Sequence, residues 1–369
     1  MPTNEAAYLT AAKATPLEVK TAPYTKPGKG EIVIRNHAVA MNPLDYIKQG
    51  LGDFLYSWIK YPAILGSDVA GEIVEVGEDV TRFKIGDRVV GHSIGMAKAH
   101  NYPSHCGFQM YTVLLTRMTS HIPDGLGYDQ AAVMPLGLST AACGLFQKDH
   151  LALPGPAVPT AESTGQTLLI WGASTSVGSN AVQLAVAAGF EVIATASPHN
   201  FDYVRSLGAA EVFDYNSKTV VQDIQRAFKD RVTAGAMSIG HGSADPCLEI
   251  LSKCTGRRFL SMVSYPMPAT LPKNFVVLQV AVPFVGSMIM LRTKSWRHGI
   301  STKFVFGDTL VDNEVGPMMY ERFLPQALAG GSFVAVPEAM VVGHGLEQIQ
   351  HAVDVLKEGV SAKKVVVTL

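Results

Sequence analysis

Residues 31–41 run EIVIRNHAVAM, with apolar side chains on alternate positions, as a half-buried strand requires. GSDVAGEIVEVGEDV (66–80) and KIGDRVVGH (84–92) repeat the pattern of strand and glycine turn, so the first part of the chain predicts a β-rich domain. The texture changes over residues 121–150, where a proline-aspartate turn precedes small and apolar residues at helical spacing, a bridge into a second domain. Past the loop LPGPAVPTAESTGQ (153–166), strand and helix alternate. Strands are predicted at 167–171, 191–196, 211–214, 236–240 and 257–263, and helices at 177–188, 200–207, 219–229 and 243–253. Such alternation demands a parallel sheet with helices on both faces, an α/β doubly wound arrangement. After residue 300 the β-type pattern returns in FVAVPEAMVV (333–342) and KKVVVTL (363–369), beside a helical GLEQIQHAVDVLKEG. The α/β domain, 135–307, is therefore expected to interrupt the first, formed by 1–134 and 308–369. The apolar run 275–291 is broken by Gln279, Pro283 and Gly286 and is shorter than the ~20 residues of a spanning helix. It predicts a buried strand and the start of a helix. Its segment LQVAVPFVG can pair across a two-fold axis, whereas Pro283 favours an unpaired edge, so monomer and homodimer both stay open.

Composition narrows the class. Hydrophobic residues make up 47% and charged ones 17%, and the net charge is −1, which leaves no electrostatic footprint for nucleic acid or an anionic membrane. A small-molecule protein is the expectation. Cys106, Cys143, Cys247 and Cys254 show no CxxC spacing, and MPTNEAAYLT has neither an apolar nor an Arg-rich targeting pattern. Reduced thiols and a cytoplasmic location are expected.

The chemistry begins at LLIWGASTSVGSNAVQLAVAAG (168–189), an apolar strand, a turn and a helix. In the dinucleotide pattern G-x-G-x-x-G, aligning Gly178 with the third glycine puts Ala173 first and Thr175 second. Ser174, Thr175 and Ser176 offer hydroxyl donors, and the helix start at Val177 favours an anion; a plain serine-rich helix cap is the alternative. The next strand ends at Ser197, where an NAD site places an acid on the ribose 2′-hydroxyl. Ser197, His199 and Asn200 stand there instead, a set that accepts a 2′-phosphate and favours NADPH, or else caps the following helix.

AMNPLDYIKQG (40–50), YPAILGSDVAGEIVEVGEDVTRFKIGDRVVG (61–91) and LLIWGASTSVGSNAVQLA, with ATASPHNFDYVRSLGAAEVFDY, resemble the medium-chain dehydrogenase/reductase superfamily over essentially the whole chain. SPHNFD and FDY resemble the fungal branch of zinc-independent quinone and enoyl reductases, including the trans-acting enoyl reductases that serve polyketide synthases. The resemblance implies a GroES-like catalytic domain plus a Rossmann domain holding NADPH. The positions that carry catalytic zinc ligands in the alcohol dehydrogenases of the superfamily are here Asn42, Ser67 and Leu136, so no metal is expected at that site. His92, His100, His105 and Cys106 in GHSIGMAKAHNYPSHCGFQ fit no tetrahedral spacing, and a solvated loop is expected there.

By the same resemblance, Asn42, Pro43, Leu44 and Asp45 approach the nicotinamide ribose, and Ser174, Thr175, Ser176 and Val177 the diphosphate. Tyr215 approaches the adenosine end, and Val263, Val360 and Ser361 the nicotinamide. Leu136, Leu138, Thr140, Phe284 and Met288 are candidates for the substrate pocket, or else core residues. Some enoyl reductases of the superfamily protonate through a tyrosine shortly after the Asn-Pro-x-Asp segment. No tyrosine here has that spacing; Tyr56 is the nearest candidate, with an aromatic of the core as its alternative. The implied activity is NADPH-dependent reduction of an activated C=C bond (enone, enal or enoyl thioester) or a quinone. The alternative is a trans-acting enoyl reductase subunit docked to a partner such as a polyketide-synthase carrier domain, or an NADPH-binding protein with little activity alone.

Overall fold

The computed structural model describes residues 2–264 and 282–369. The chain divides into two compact units, Met1–Ser139 with Leu310–Leu369, and Thr140–Thr309. The first division falls inside the helix Pro135–Phe146, a few residues beyond the boundary the sequence suggests.

The first unit is built on a seven-stranded sheet. Along its path lie Glu338–His344, Lys363–Thr368, Glu31–Ala40, Asp68–Val76, Arg88–His92 and Thr119–His121, and Tyr111–Leu115 also pairs with Glu31–Ala40. Alternation explains why Glu31–Ala40 is the hub: Ile32, Ile34 and Val39 enter the core of this unit, and Arg35 stays outside. The C-terminal strand Lys363–Thr368 pairs antiparallel with it, Val366 opposite Ala40. Asn4–Leu9, Glu18–Ala22 and Ala63–Ile64 form a separate three-stranded sheet.

The second unit is a parallel sheet. Its strands run in space Glu211–Asp214, Glu191–Ala196, Gln166–Trp171, Val232–Ser238, Phe259–Met262, Ser301–Phe304, with Thr255–Gly256 beside Val232–Ser238. Buried runs such as Val192 to Ala196 are what strands covered on both faces need. Strand order reverses at Gln166–Trp171, which is where doubly wound sheets open a crevice at the strands' carboxyl ends. The helices Ser176–Ala187, Phe201–Ser206, Val220–Ala227 and Ala244–Leu251 fall where the periodicity puts them. Val232–Ser238 starts four residues before the predicted 236–240, with a register shift between Thr233 and Gly235, and the strands Thr255–Gly256 and Ser301–Phe304 are not among those predicted.

Two expectations are corrected. In the run 275–291 the expected helix start is present, as Val282–Arg297, but Pro283 sits in its first turn rather than at a sheet edge, and Val285, Ile289 and Met290 are exposed rather than buried. Residues 265–281 lie outside the described residues. The histidine-rich stretch is not a solvated loop, for His92 ends a strand and is buried, as are His105 and Cys106. Gln109 anchors its far end by donating to the carbonyls of Pro103, Ser104 and Cys106. No helix among the described residues is long and apolar enough to cross a membrane.

Candidate functional site

In the second unit, the turn after Gln166–Trp171 is shaped by two glycines. Gly172 has φ +84°, and a Cβ there would meet the Ile239 carbonyl oxygen at 2.5 Å. A Cβ on Gly178 would meet the Gly172 carbonyl oxygen at 2.3 Å, so the helix Ser176–Ala187 packs directly on the strand end. The glycine that permits the turn is thus Gly172, one residue before the Ala173 chosen by spacing. Thr175 does not offer its hydroxyl outward. Its Oγ1 accepts from the Gly178 N–H at 3.1 Å and donates to the Gly172 carbonyl at 2.8 Å, capping the helix.

Ser176 is different. Its buried Oγ has no hydrogen-bond partner, although it stands in the first turn of a twelve-residue helix. An unsatisfied buried hydroxyl beside free helix N–H groups suits an anionic oxygen, so these residues fit the diphosphate of a dinucleotide. Ser174 and Val177 are half-buried in the same turn. At the ends of the next two strands, the Ser197 Oγ lies 3.0 Å from the Tyr215 hydroxyl, joining two of the expected adenosine-end residues. His199 is exposed and Asn200 buried. Val263 is half-buried, its N–H bound to the Ser238 carbonyl at 2.9 Å.

In the first unit, the positions named for zinc gather around a carboxylate. Asp68, fully buried, accepts from the Asn42 Nδ2 at 2.9 Å and from the Leu136 N–H at 2.7 Å, and pairs with the Lys364 Nζ at 2.8 Å. Lys364, itself buried, also donates to the Asn42 Oδ1. Topology makes this meeting: Ala40 is opposite Asp68 in one strand pair and opposite Val366 in the other, so the chain on either side carries Asn42 and Lys364 to the same spot. A tetrahedral zinc needs nitrogen, sulfur or oxygen ligands. Leu136 has none, and the Asn42 amide is committed to Asp68 and Lys364, so this donor set does not fit the metal. Among the described residues no group of three or more His, Cys, Asp or Glu side chains is placed to hold one. In the histidine-rich stretch, burial pushes the Cys106 thiol up to about 12 and holds the His105 imidazole below its ordinary value.

Asn42 also precedes the helix Pro43–Leu55, where the Asp45 carboxylate accepts the Asn42 N–H at 2.7 Å. Burial pushes the Asp45 carboxyl up to about 6, against that hydrogen bond and the nearby Lys48. Pro43 is exposed and Leu44 half-buried. Val360 and Ser361 lie between the helix Ile349–Glu358 and the last strand, Ser361 exposed. Tyr56 ends the first helix, edge-on to Trp58 with ring centroids 5.3 Å apart, and packs against the core of the unit, the arrangement of the aromatic alternative.

Of the substrate-pocket candidates, Leu136 and Met288 are half-buried, Thr140 is buried and Leu138 fully so; the Phe284 side chain lies outside the described residues. Sequence reasoning missed Gly172, Asp68 and Lys364. An acid inside the apolar run after Gly66 is the signal that could have demanded a buried cation.

The alcohol dehydrogenase GroES-like domain family matches residues 28–137, and the zinc-binding dehydrogenase family matches residues 176–298. The chain is 53% identical to dehydrogenase pigH of Monascus ruber, covering all of both chains. It is 37% identical to trans-enoyl reductase himH of Aspergillus japonicus, covering 99% of this chain and 97% of the relative. A crystal structure of an alcohol dehydrogenase superfamily protein from Novosphingobium aromaticivorans shares the fold with a TM-score of 0.74 at 24% identity, over 100% of each chain. With its GroES-like sheet, its parallel Rossmann-type sheet and relatives of this closeness, the chain belongs to the medium-chain dehydrogenase/reductase superfamily of oxidoreductases.

Proposed function

We propose that this protein is an NADPH-dependent reductase that works without catalytic zinc and delivers hydride to an already activated acceptor: the β-carbon of an enone, enal or enoyl thioester, or a quinone. The observation that carries the reading is the buried Asn42, Asp68 and Lys364 cluster. A carboxylate paired with an ammonium occupies the Asn42 amide and the Leu136 N–H, two of the three positions where a zinc enzyme would present ligands, which supports a reductase without the Lewis acid that an unactivated alcohol or ketone needs. When bound, the reduced nicotinamide supplies hydride. The chain's own residues do the rest. Ser174, Ser176 and Val177 hold the diphosphate at the helix N-terminus, and Ser197, His199, Asn200 and Tyr215 hold the 2′-phosphate and adenosine. Asn42, Pro43, Leu44, Asp45, Val263, Val360 and Ser361 orient the nicotinamide end. By the resemblance, the half-buried Leu136 and Met288 are the candidates to meet the substrate. The name of the himH relative supports the enoyl class. Cys106, Cys143, Cys247 and Cys254 are all buried free thiols, which supports a cytoplasmic setting.

One feature favours a second reading, a reductase that meets its acyl substrate on a polyketide-synthase carrier domain. The helix Val282–Arg297 exposes Ile289, Met290 and an 81% exposed Trp296. A panel of enones, enals, acyl-thioesters and quinones, assayed with NADPH and NADH on protein of measured metal content, separates these readings. The expected result is oxidation of NADPH with an activated alkene or quinone, at a rate indifferent to chelation. Collapse of the rate on chelation, or a preference for NADH, overturns the first reading. Turnover only with a carrier-bound thioester supports the second.

A further inference from the structure

We propose that Tyr203 and Thr195 are positioning residues that set a preference for NADPH over NADH, by fixing the distance between the turn that takes the diphosphate and the loop that takes the 2′-phosphate; the proposal rests on the coenzyme reading above. The loop 197–200 is bracketed by these two residues, Thr195 near the end of the strand Glu191–Ala196 and Tyr203 inside the helix Phe201–Ser206. Each is tied to the turn after Gln166–Trp171. The Thr195 Oγ1 accepts the Gly172 N–H at 3.0 Å, and the Thr195 carbonyl accepts the Ala173 N–H at 2.9 Å. From the far side of the loop, the Tyr203 hydroxyl donates to the Ser179 Oγ at 2.9 Å, and the Ser179 Oγ donates to the Ala173 carbonyl at 3.1 Å. The Gly172 carbonyl accepts from the Thr175 hydroxyl. Every polar backbone group of Gly172 and Ala173 is therefore bonded, and three of the four lead, directly or through Ser179, to the residues on either side of the loop.

Burial makes this linkage stiff. Thr195, Ser179 and Ala173 are fully buried, so a bond that opens is not replaced by one to water. The Ala173 carbonyl can only accept, which commits the one proton of Ser179 and leaves the phenol to donate. Burial also pushes the Tyr203 phenol up to about 12, so it keeps that proton at any working pH. The consequence concerns a ligand with two anchors. The diphosphate and the 2′-phosphate of NADPH stand on one adenosine, so once the first is seated the second arrives at a set distance. Where turn and loop are already held at that distance, the second contact needs little further ordering of the chain. A slack linkage removes neither anchor, but ordering the loop then offsets part of the 2′-phosphate contact. NADH carries no 2′-phosphate and is indifferent to that slack. Loss of the linkage thus lowers discrimination between the two coenzymes, whereas a purely structural role would weaken both alike.

Two measurements on Tyr203→Phe test this, one of them without coenzyme. The substitution keeps the ring and breaks the link. Amide hydrogen exchange in the free protein should then quicken about fivefold at Ala173 as well as at Asn200, whose N–H is bonded to the Ser197 carbonyl at 2.8 Å. Acceleration at Asn200 alone overturns the link. In calorimetric titrations, affinity for NADPH should fall about fivefold and affinity for NADH by less than about twofold. Thr195→Val, which removes the Oγ1 and keeps the branched shape, should narrow the preference in the same way from the other side of the loop. Equal losses for the two coenzymes, or no loss for either, overturn the specificity role. If the unmodified protein binds NADPH no more tightly than NADH while Tyr203→Phe still quickens exchange at both amides, the coenzyme reading is overturned, and the preference with it, while the link stands.

Discussion

The turn after Gln166–Trp171 and the cluster around Asp68 solve the problem of charge in opposite ways. The turn is made by backbone: Gly172, Gly178 and helix N–H groups within seven consecutive residues prepare a place for an anion that the chain does not contain. The cluster is made by side chains from segments far apart in sequence, Asn42, Asp68, Leu136 and Lys364, and supplies both of its own charges. A site built from neighbours awaits a partner; a site built from distant residues is complete once the chain folds. It follows that damage to the cluster should register first in stability, and damage to the turn first in binding.

The largest effect should come from Lys364→Met. It leaves Asp68 buried with its hydrogen bonds but without its cation, which costs about 3–5 kcal/mol. Urea denaturation of the purified protein measures it. A paired Asp68→Asn and Lys364→Met variant should recover most of that loss, because no unbalanced charge remains. If the single variant loses less than about 1 kcal/mol, the pair is not the internal cation substitute described here.

Asp45 sharpens the same side of the comparison. Its carboxyl is raised from an ordinary 3.8 to about 6 by burial, so the folded state holds the proton more tightly than the unfolded one. Its contribution is therefore fully present below about pH 4 and lost as the pH climbs through 6, a change of about 3 kcal/mol. Asp45→Asn removes the titration while an oxygen still faces the Asn42 N–H. The stability of the variant relative to the unmodified protein should rise between pH 4.5 and 7.5, read from urea midpoints at each pH. A difference that stays flat with pH means that Asp45 is solvated enough to titrate normally.

On the other side, Gly172→Ala forces a Cβ against the Ile239 carbonyl at a positive φ, costing about 1–3 kcal/mol in stability. Because the same turn aims the helix N-terminus, affinity for a nicotinamide dinucleotide should fall about tenfold or more, measured by quenching of Trp171 and other tryptophan fluorescence. This residue also shows how far the sequence was legible. The parallel sheet could be read nearly to the residue at 191–196, because a strand covered on both faces is a continuous apolar run, and at the edge strand 211–214, where Val212 and Phe213 stand between two acids. The turn could be located but not registered: spacing alone put the first glycine position at Ala173, and only the backbone dihedral singles out Gly172. Lys364 could not be found at all. In KKVVVTL either lysine suits a strand end, and only pairing with the strand Glu31–Ala40 turns Lys364 inward toward Asp68 while Lys363 stays exposed.

The smallest effect isolates binding from folding. Ser176→Ala deletes a buried hydroxyl that has no partner in the protein, so stability should be unchanged or rise slightly, since an unsatisfied polar atom is removed. If that hydroxyl is kept for a phosphate oxygen, affinity for the dinucleotide should fall by about 1 kcal/mol, roughly fivefold, with the thermal midpoint of the free protein unmoved. Thr175→Ala is the contrast one residue away. Its hydroxyl already caps the helix, so the variant should lose about 1 kcal/mol of stability whether or not coenzyme is present. Calorimetric binding and melting of the two variants side by side give the answer. Should Ser176→Ala bind dinucleotide as tightly as the unmodified protein, the orphaned hydroxyl is a defect of packing and not a phosphate contact.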